Sequence, residues 1–277
     1  MPDGTTLAIQ IVNYRTRRYL ERCLETVVSD LEGSSLGYEI NLLDNASGED
    51  LSDLAARHPG ARAFTAEANL GFGGGHNLLA KRTGADYLLI LNPDVELSGG
   101  GSIERLLAVV AGEERVVAGE ERVVAGGERV VAAGPKLLTP AGRPQPYDHG
   151  RLRGPRAAIA LKGGHSYWRA TDSRQEVAWV SGAAMVVDRA AFAAIGGFDE
   201  QLFLYKEDED LCLRLRQAGG RVIYEPAVRI AHHESVVADR HRELEGACRY
   251  YFAKHFADRP TRRAFAVAHQ TLAYLHL

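Results

Sequence analysis

Between Leu7 and Leu91 short apolar runs alternate with stretches of helical spacing, and this alternation limits the fold more than any other feature of the chain. Leu7 to Val12 is a strand-like run. Arg17 to Leu31 follows it, with Leu20, Leu24, Val27, Val28 and Leu31 on one helical face. Tyr38 to Leu43 reads as a second strand, Leu51 to Arg57 as a short helix and Ala61 to Thr65 as a weaker strand. A helix over Leu78 to Thr83 then leads into Leu88 to Leu91, an unbroken apolar run of the kind buried on both faces. Strands joined through helices run parallel, so the expected class is α/β with a doubly wound N-terminal half. Ligands of such sheets sit beyond the C-terminal ends of the strands. The residues that leave each strand are therefore the ones to examine.

The first strand ends in Asn13-Tyr14-Arg15 and the second in Asp44-Asn45-Ala46-Ser47-Gly48. The last ends in Asn92-Pro93-Asp94. Proline cannot donate to a ladder, so the chain is expected to leave the sheet there, carrying a carboxylate out at the edge. A carboxylate on so firm a support suits Mg²⁺ or Mn²⁺ with a diphosphate on its far side. A plain strand and Pro-Asp turn would account for the same residues. Asn69 to Asn77 holds four glycines in five positions. It reads as a loop that lets the backbone approach a ligand, ahead of a helix whose free N–H groups favour an anion. The acidic residue of a dinucleotide fingerprint does not follow it.

The second half is less regular. Ala111 to Val117 recurs as Ala118 to Val124 and, with one change, as Ala125 to Val131. These copies are too few and too Gly-rich for a coiled coil and read as an extension of the preceding helix. Val130 to Leu138 is a strand, Thr139 to Arg156 a loop, and Ala157 to Glu176 shows no period. Val177 to Val187 reads as one strand, Arg189 to Ile195 as a short helix and Gly196 to Glu200 as a turn. The next helix opens with Glu207, Asp208, Glu209 and Asp210, and Leu211, Leu215 and Ala218 share its face. Acids at a helix N-terminus are favoured by about 0.3–1 kcal/mol each, which explains the run without any chemistry. Arg221 to Tyr224 and Val228 to Ala231 read as two short strands, the second delivering His232-His233. Arg240 to Phe256 is an amphipathic helix with Leu244, Ala247, Tyr251 and Phe252 on one side. The tail from Arg262 to Leu277 is basic and then apolar, suited to packing on the domain, pairing subunits into a homodimer or lying on a membrane surface.

Bulk composition narrows the function classes. A net charge of −3 offers nucleic acid no general attraction. Cys23, Cys212 and Cys248 are far apart and lack metal-ligand spacing, so they read as reduced thiols of a cytoplasmic protein. Met1 to Gln10 lacks the pattern of a secretion signal, and no window is apolar enough to span a bilayer.

Taken in order, these motifs resemble glycosyltransferase family 2, inverting nucleotide-sugar transferases of the GT-A type, and within it the rhamnosyltransferase-like branch. The carriers are Asn13-Tyr14, Asp44 to Ser47, Asn69 to Gly73, Leu91 to Asp94, Val180-Ser181-Gly182, Gly196 to Glu200, Tyr205 to Leu211 and Pro226 to His232. The resemblance implies a Rossmann-like nucleotide-binding half (1–98), a mixed central sheet, an acceptor and catalytic half (130–235), and C-terminal helices over 236–277. The repeats at 111–131 are an insertion to that pattern.

The resemblance also implies roles. Asp44, with Val12, Asn13, Tyr14 and Asn45, would meet the nucleotide, its carboxylate accepting a pyrimidine imide N–H. Asn69, Gly71, Phe72, Gly73 and Asn77 would follow nucleotide and sugar, with Asn92 beside them. Asp94 would bind a divalent metal, Mn²⁺ or Mg²⁺, that neutralises the leaving diphosphate. Asn92 stands where the commonest family form has a first carboxylate. His232 would complete the metal shell. Asp208 would be the one base an inverting displacement needs, its pKa raised by the acids around it. Gly182, Asp199 and Glu207 would border the acceptor.

The expected reaction moves a sugar, rhamnose or another deoxyhexose, from a dTDP- or UDP-sugar to a hydroxyl of a saccharide, lipid-linked glycan or natural product. A nucleotidyltransferase that makes nucleotide sugars is an alternative, but the Gly-rich N-terminal signature is missing, since Leu7 to Arg18 has no glycine. A non-catalytic sugar- or nucleotide-binding module is another, against which Asp94, Asp208 and His232 stand intact.

Overall fold

A computed structural model describes residues 4–112, 129–162, 166–233 and 240–256. The alternation of the N-terminal half is realised as β1 (Thr6–Asn13), α1 (Arg17–Asp30), β2 (Gly37–Asp44), α2 (Ser52–Arg57), β3 (Ala61–Thr65), α3 (Gly71–Ala80) and β4 (Tyr87–Leu91). β5 (Val95–Leu97), α4 (Ser102–Ala111), β6 (Val130–Leu138), β7 (His149–Arg151) and α5 (Pro155–Lys162) follow. The chain continues through β8 (Gln175–Val180), β9 (Ala184–Asp188), α6 (Arg189–Ala194), α7 (Glu207–Gln217), β10 (Arg221–His232) and α8 (Arg240–Phe256).

These strands form a mixed sheet in the order β3-β2-β1-β4-β9-β6-β10-β8-β7, with β5 added against β10. β3, β2, β1 and β4 are mutually parallel, and β6 is parallel to β10. β9 runs antiparallel to both β4 and β6. The ends of β1, β2, β4, β6 and β10 therefore share one edge with the start of β9.

Alternate residues of a strand face opposite layers, so a strand covered on both sides must be apolar throughout. Leu7, Ile9 and Ile11 of β1 and Leu89 and Leu91 of β4 pack with α1, α2 and α4. Ala8, Leu88 and Ile90 pack on the other side with α7 and β8. The helical face expected on α1 is buried and includes Cys23. All three cysteines are buried and none is in a disulfide. No helix among the described residues is long and apolar enough to cross a membrane.

Several expectations are corrected. The glycines after Asn69 are not a loop: they are the first turns of α3. A Cβ on Gly75 would stand 2.8 Å from a Val12 methyl, and one on Gly73 2.7 Å from the Phe198 side chain. Glycine thus seats the helix against the strand ends rather than freeing the backbone. The chain does not leave the sheet for good at Pro93, because Val95 to Leu97 pair antiparallel with β10. Val177 to Val187 is two strands separated by Ser181-Gly182-Ala183. Arg221 to His232 is one strand, with Pro226 in a register shift between Glu225 and Arg229, where a missing N–H is harmless. The stretch expected as a loop over Thr139 to Arg156 contains β7 and the start of α5.

Most of the repeat stretch (113–128) and the tail Arg262 to Leu277 lie outside the described residues. α8 is docked by Ala247, Cys248, Tyr251 and Phe252, which pack with Leu202.

Candidate active site

The strand ends bring most of the expected residues to one edge. Asn13 and Asp44 are register partners, and the Asn13 side-chain amide donates to Asp44 Oδ1 at 3.3 Å and to Glu49 at 2.8 Å. Asp44 is buried, and its carboxylate accepts from the Ser47 hydroxyl and from Gly48 N at 3.0 Å. Its demonstrated work is to close the Asn45–Gly48 turn. Arg15 (φ +57°) and Ala46 (φ +61°) follow these two strands in left-handed conformations that side chains rarely adopt. Backbone strain of this kind collects at functional sites.

Asn45 donates to Asn69 Oδ1 and to the Gly71 carbonyl, both at 3.0 Å, and accepts from Leu70 N. It fixes the entry to α3. Asn77 reaches the other way: it donates to the Phe198 carbonyl and to Glu200, and accepts from Phe198 N. The 196–200 turn is thereby fastened to α3. Phe72 N donates to the Phe203 carbonyl, and its ring packs edge-on against His76 and Phe198.

Beyond β4, Asp94 and His232 are brought together across the β5–β10 pairing. His232 Nε2 lies 3.4 Å from Asp94 Oδ1 and 3.2 Å from the Asn92 amide nitrogen. The other ring nitrogen, Nδ1, sits 3.0 Å from Gln145 Oε1. That oxygen can only accept, so Nδ1 donates to it, and Nε2 is left between the Asp94 carboxylate and the Asn92 amide. A carboxylate and an imidazole side by side and buried are groups that can hold a divalent cation. Carboxylate oxygen and imidazole nitrogen suit Mn²⁺ well and Mg²⁺ adequately. No group of three or more His, Cys, Asp or Glu able to hold a metal occurs among the described residues. The pair therefore fits a metal that takes its remaining ligands from phosphate and water.

Asp208 opens α7 directly after Tyr205 (φ +69°) and Lys206 (φ +68°), two consecutive left-handed residues. Gly182 N donates to its Oδ2 at 3.1 Å and Glu209 N to its Oδ1 at 2.7 Å. The next residue of the same turn, Ala183, accepts through its carbonyl from Asn92 N at 2.9 Å. Asp208 and the Asn92–Asp94 segment are thus fastened to adjacent residues of one turn. Burial pushes the Asp208 carboxyl up to about 6, and the Glu209 charge adds to this. The order of causes reverses the expectation that neighbouring acids dominate. Glu207 is buried, its Oε2 has no hydrogen-bond partner among the described residues, and burial and then the Asp208 charge raise it well above the usual range.

Asp199, expected at the acceptor, is committed elsewhere. Its Oδ2 accepts from Tyr250 at 2.8 Å and Lys254 at 2.7 Å, and its Oδ1 from Gln201 N. It pins α8. The other pin is fully buried Asp210, which accepts from Arg214, Lys254 and His255. Gln145 and Glu49 carry no site expectation from the sequence, and only the Pro-Gly-Arg-rich setting of Gln145 marks its position as irregular.

A family model described as glycosyl transferase family 2 matches residues 8–163. The N-acetylglucosaminyl-diphospho-decaprenol L-rhamnosyltransferase of Mycobacterium tuberculosis is 30% identical over 253 residues, covering 83% of this chain and 76% of its own length. Rhamnosyltransferase WbbL of Escherichia coli is 45% identical over 62 residues, 21% of this chain and 24% of its own. Among solved structures, GalNAc-T7 with UDP, GalNAc and Mn²⁺ superposes with a TM-score of 0.62 at 14% identity, over 95% of this chain and 52% of that one. The mannosyltransferase PcManGT of Pyrobaculum calidifontis, in complex with GDP-Man and Mn²⁺, gives 0.55 at 15% identity over 98% and 70%. At such identities these two establish likeness of fold.

Proposed function

The chain belongs to glycosyltransferase family 2 and is a glycosyltransferase of GT-A fold, and from that premise we propose that it inverts the anomeric centre of a deoxyhexose as it moves it to a lipid-linked saccharide. The donor in this reading is a dTDP-sugar, with rhamnose the favoured hexose, and the acceptor an N-acetylglucosaminyl diphosphate on a polyprenyl chain. The relative that covers most of the chain is named for rhamnosyl transfer to such a lipid, which supports both choices.

The observation that carries the mechanism is the attachment of Asp208 and the Asn92–Asp94 segment to one turn, Gly182-Ala183. Inversion is one in-line displacement, for which a single base suffices. The acceptor O–H proton passes to the Asp208 carboxylate while the acceptor oxygen bonds to the anomeric carbon. The bond from that carbon to the phosphate oxygen breaks on the opposite face, and its electron pair leaves with the nucleoside diphosphate. A carboxyl near 6 is ionised at neutral pH yet basic enough to accept the proton. Gly182 N–H and Glu209 N–H hold its oxygens in place. Asp94 and His232 would hold a divalent cation, which when bound supplies positive charge to the leaving diphosphate. Gln145, bonded to the other ring nitrogen, would fix the orientation of the His232 imidazole toward that position.

The test is transfer from a panel of dTDP-, UDP- and GDP-sugars to N-acetylglucosaminyl diphosphate on a short polyprenyl chain, with and without EDTA. The expected product forms best from dTDP-rhamnose, in the anomeric configuration opposite to the donor, and is lost with chelator. Retained configuration would remove Asp208 from the role of base. Absence of both transfer and donor hydrolysis across the panel would favour a binding module instead.

A further inference from the structure

We propose that Tyr147, backed by Trp168, is the platform on which a pyranose ring of the acceptor lies, an inference that rests on the saccharide acceptor proposed above. Tyr147 is 42% exposed. It is also left-handed, with φ +60°. It follows Pro146, and a proline followed by a left-handed residue is the pattern of a type II turn, whose second central position favours glycine or asparagine. A bulky aromatic there is conformationally costly, and with 42% of its surface exposed it recovers only part of that cost by burial.

The flanking residues explain how the strain is held. Gln145 and Asp148 are both buried. Gln145 bonds His232 on the diphosphate side. The Asp148 carbonyl accepts from Ser181 N at 3.0 Å, and Gly182, the next residue, donates to Asp208 on the acceptor side. The Asp148 carboxylate is anchored in turn by His149 Nδ1 (2.7 Å), Trp168 Nε1 (2.8 Å), the Tyr224 hydroxyl (2.9 Å) and Leu137 N (3.3 Å). The turn that displays Tyr147 is thus bolted at both ends to the two halves of the site.

Trp168 is half-buried and held by its own N–H to Asp148, and its ring centroid lies 6.2 Å from that of Tyr147 at an interplanar angle of 39°. Two tilted rings fixed in this way form a shallow aromatic corner. The C–H-rich face of a pyranose carries partial positive charge and is drawn to the negative face of an aromatic ring. Strain retained at a position whose surroundings over-determine it is the mark of a functional conformation.

Three variants test the assignment: Tyr147→Ala, Tyr147→Phe and Tyr147→Gly. Each is assayed for transfer from dTDP-rhamnose to N-acetylglucosaminyl diphosphate on a short polyprenyl chain, for donor hydrolysis without acceptor, and for thermal melting. Tyr147→Ala should raise the acceptor KM about tenfold more than it changes the donor KM. Tyr147→Phe, which keeps the aromatic face, should restore the wild-type acceptor KM. Tyr147→Gly should melt higher than Tyr147→Ala, which keeps the left-handed strain, yet show the same acceptor defect. Equal acceptor KM in wild type and Tyr147→Ala would overturn the platform, as would a phenylalanine variant as impaired as alanine. A wild-type enzyme that hydrolyses donor but does not use this acceptor refutes the acceptor class and the platform with it. One that does neither with any dTDP-, UDP- or GDP-sugar of the panel refutes glycosyl transfer itself, and the platform with it.

Discussion

Replacing Asp208 with asparagine should make the protein more stable while it destroys transfer, and the gain should depend on pH. The carboxyl is pushed from an ordinary 3.8 up to about 6, first by burial and then by Glu209. At about 1.4 kcal/mol per pH unit, keeping it ionised destabilises the native state by about 3 kcal/mol. Asp208 is only half-buried, so solvent screening reduces this figure. Asparagine can still accept from Gly182 N but turns its amide toward Glu209 N, a loss of about 1 kcal/mol. The net gain at pH 8 is about 1–2 kcal/mol, or about 2–4 °C in Tm for a chain of 277 residues. Its sign follows from proton counting. Between about 4 and 6 the folded protein binds the proton more tightly than the unfolded chain, so wild-type stability falls as pH rises through that window. Below pH 4 both states are protonated and the advantage of asparagine vanishes. Thermal melts of both proteins from pH 4 to 8 measure this directly. A variant that melts lower at pH 8, or a difference that is constant with pH, would refute the assignment of a base whose carboxyl is raised by its surroundings.

Two other substitutions probe the surroundings of the site. Gln145→Ala removes the acceptor that orients the His232 ring and should raise the Mn²⁺ concentration for half-maximal donor hydrolysis by about 10–100-fold; an unchanged metal titration would detach Gln145 and His232 from the metal. Asp210→Asn should destabilise the fold by about 3–5 kcal/mol in urea unfolding, because Arg214, Lys254 and His255 lose a buried counter-charge. Burial alone would raise the Asp210 carboxyl, but bonds from His255, Lys254 and Arg214 hold it at about 2. Its stabilisation is therefore complete above about pH 4 and lost as pH falls through 2. A change below about 1 kcal/mol would mean α8 is held mainly by its apolar face.

What was legible in the sequence was whatever local periodicity or strand termination encodes. α1 carries a clean apolar stripe, α8 buries the Ala247, Tyr251 and Phe252 expected of it, and the residues after β1, β2 and β4 stand at the edge where strand polarity places them. Non-local packing hid the rest. The glycine run looks like a flexible loop until Val12 and Phe198, far off in sequence, are seen pressing on Gly75 and Gly73. Ser181-Gly182 passed as strand interior because valine and alanine flank it, although this turn joins Asp208 to Asn92. Pro226 suggested a break that a bulge absorbs. The acidic run at α7 was visible, but not its division: Asp210 ties down a helix, Glu209 pairs with Lys206, and Asp208 meets the turn. The bonds that tie Asp199 to Tyr250 and Lys254 of α8 span more than fifty residues, and no local pattern carries them.

The proposed mechanism separates the duties of Asp208, bonded to the Gly182-Ala183 turn, and Asp94, two residues beyond Asn92, which is bonded to the same turn. Calorimetric titration of dTDP, with and without Mn²⁺, into wild type, Asp94→Ala and Asp208→Asn, alongside single-turnover transfer on each protein, tests that separation most directly. The prediction is that Asp94→Ala loses the Mn²⁺-dependent part of dTDP affinity, whereas Asp208→Asn keeps it and loses transfer by a thousandfold or so (about 4 kcal/mol). If dTDP affinity in the wild type is the same with and without Mn²⁺, or if Asp208→Asn still transfers at more than about a tenth of the wild-type rate, the separation does not exist.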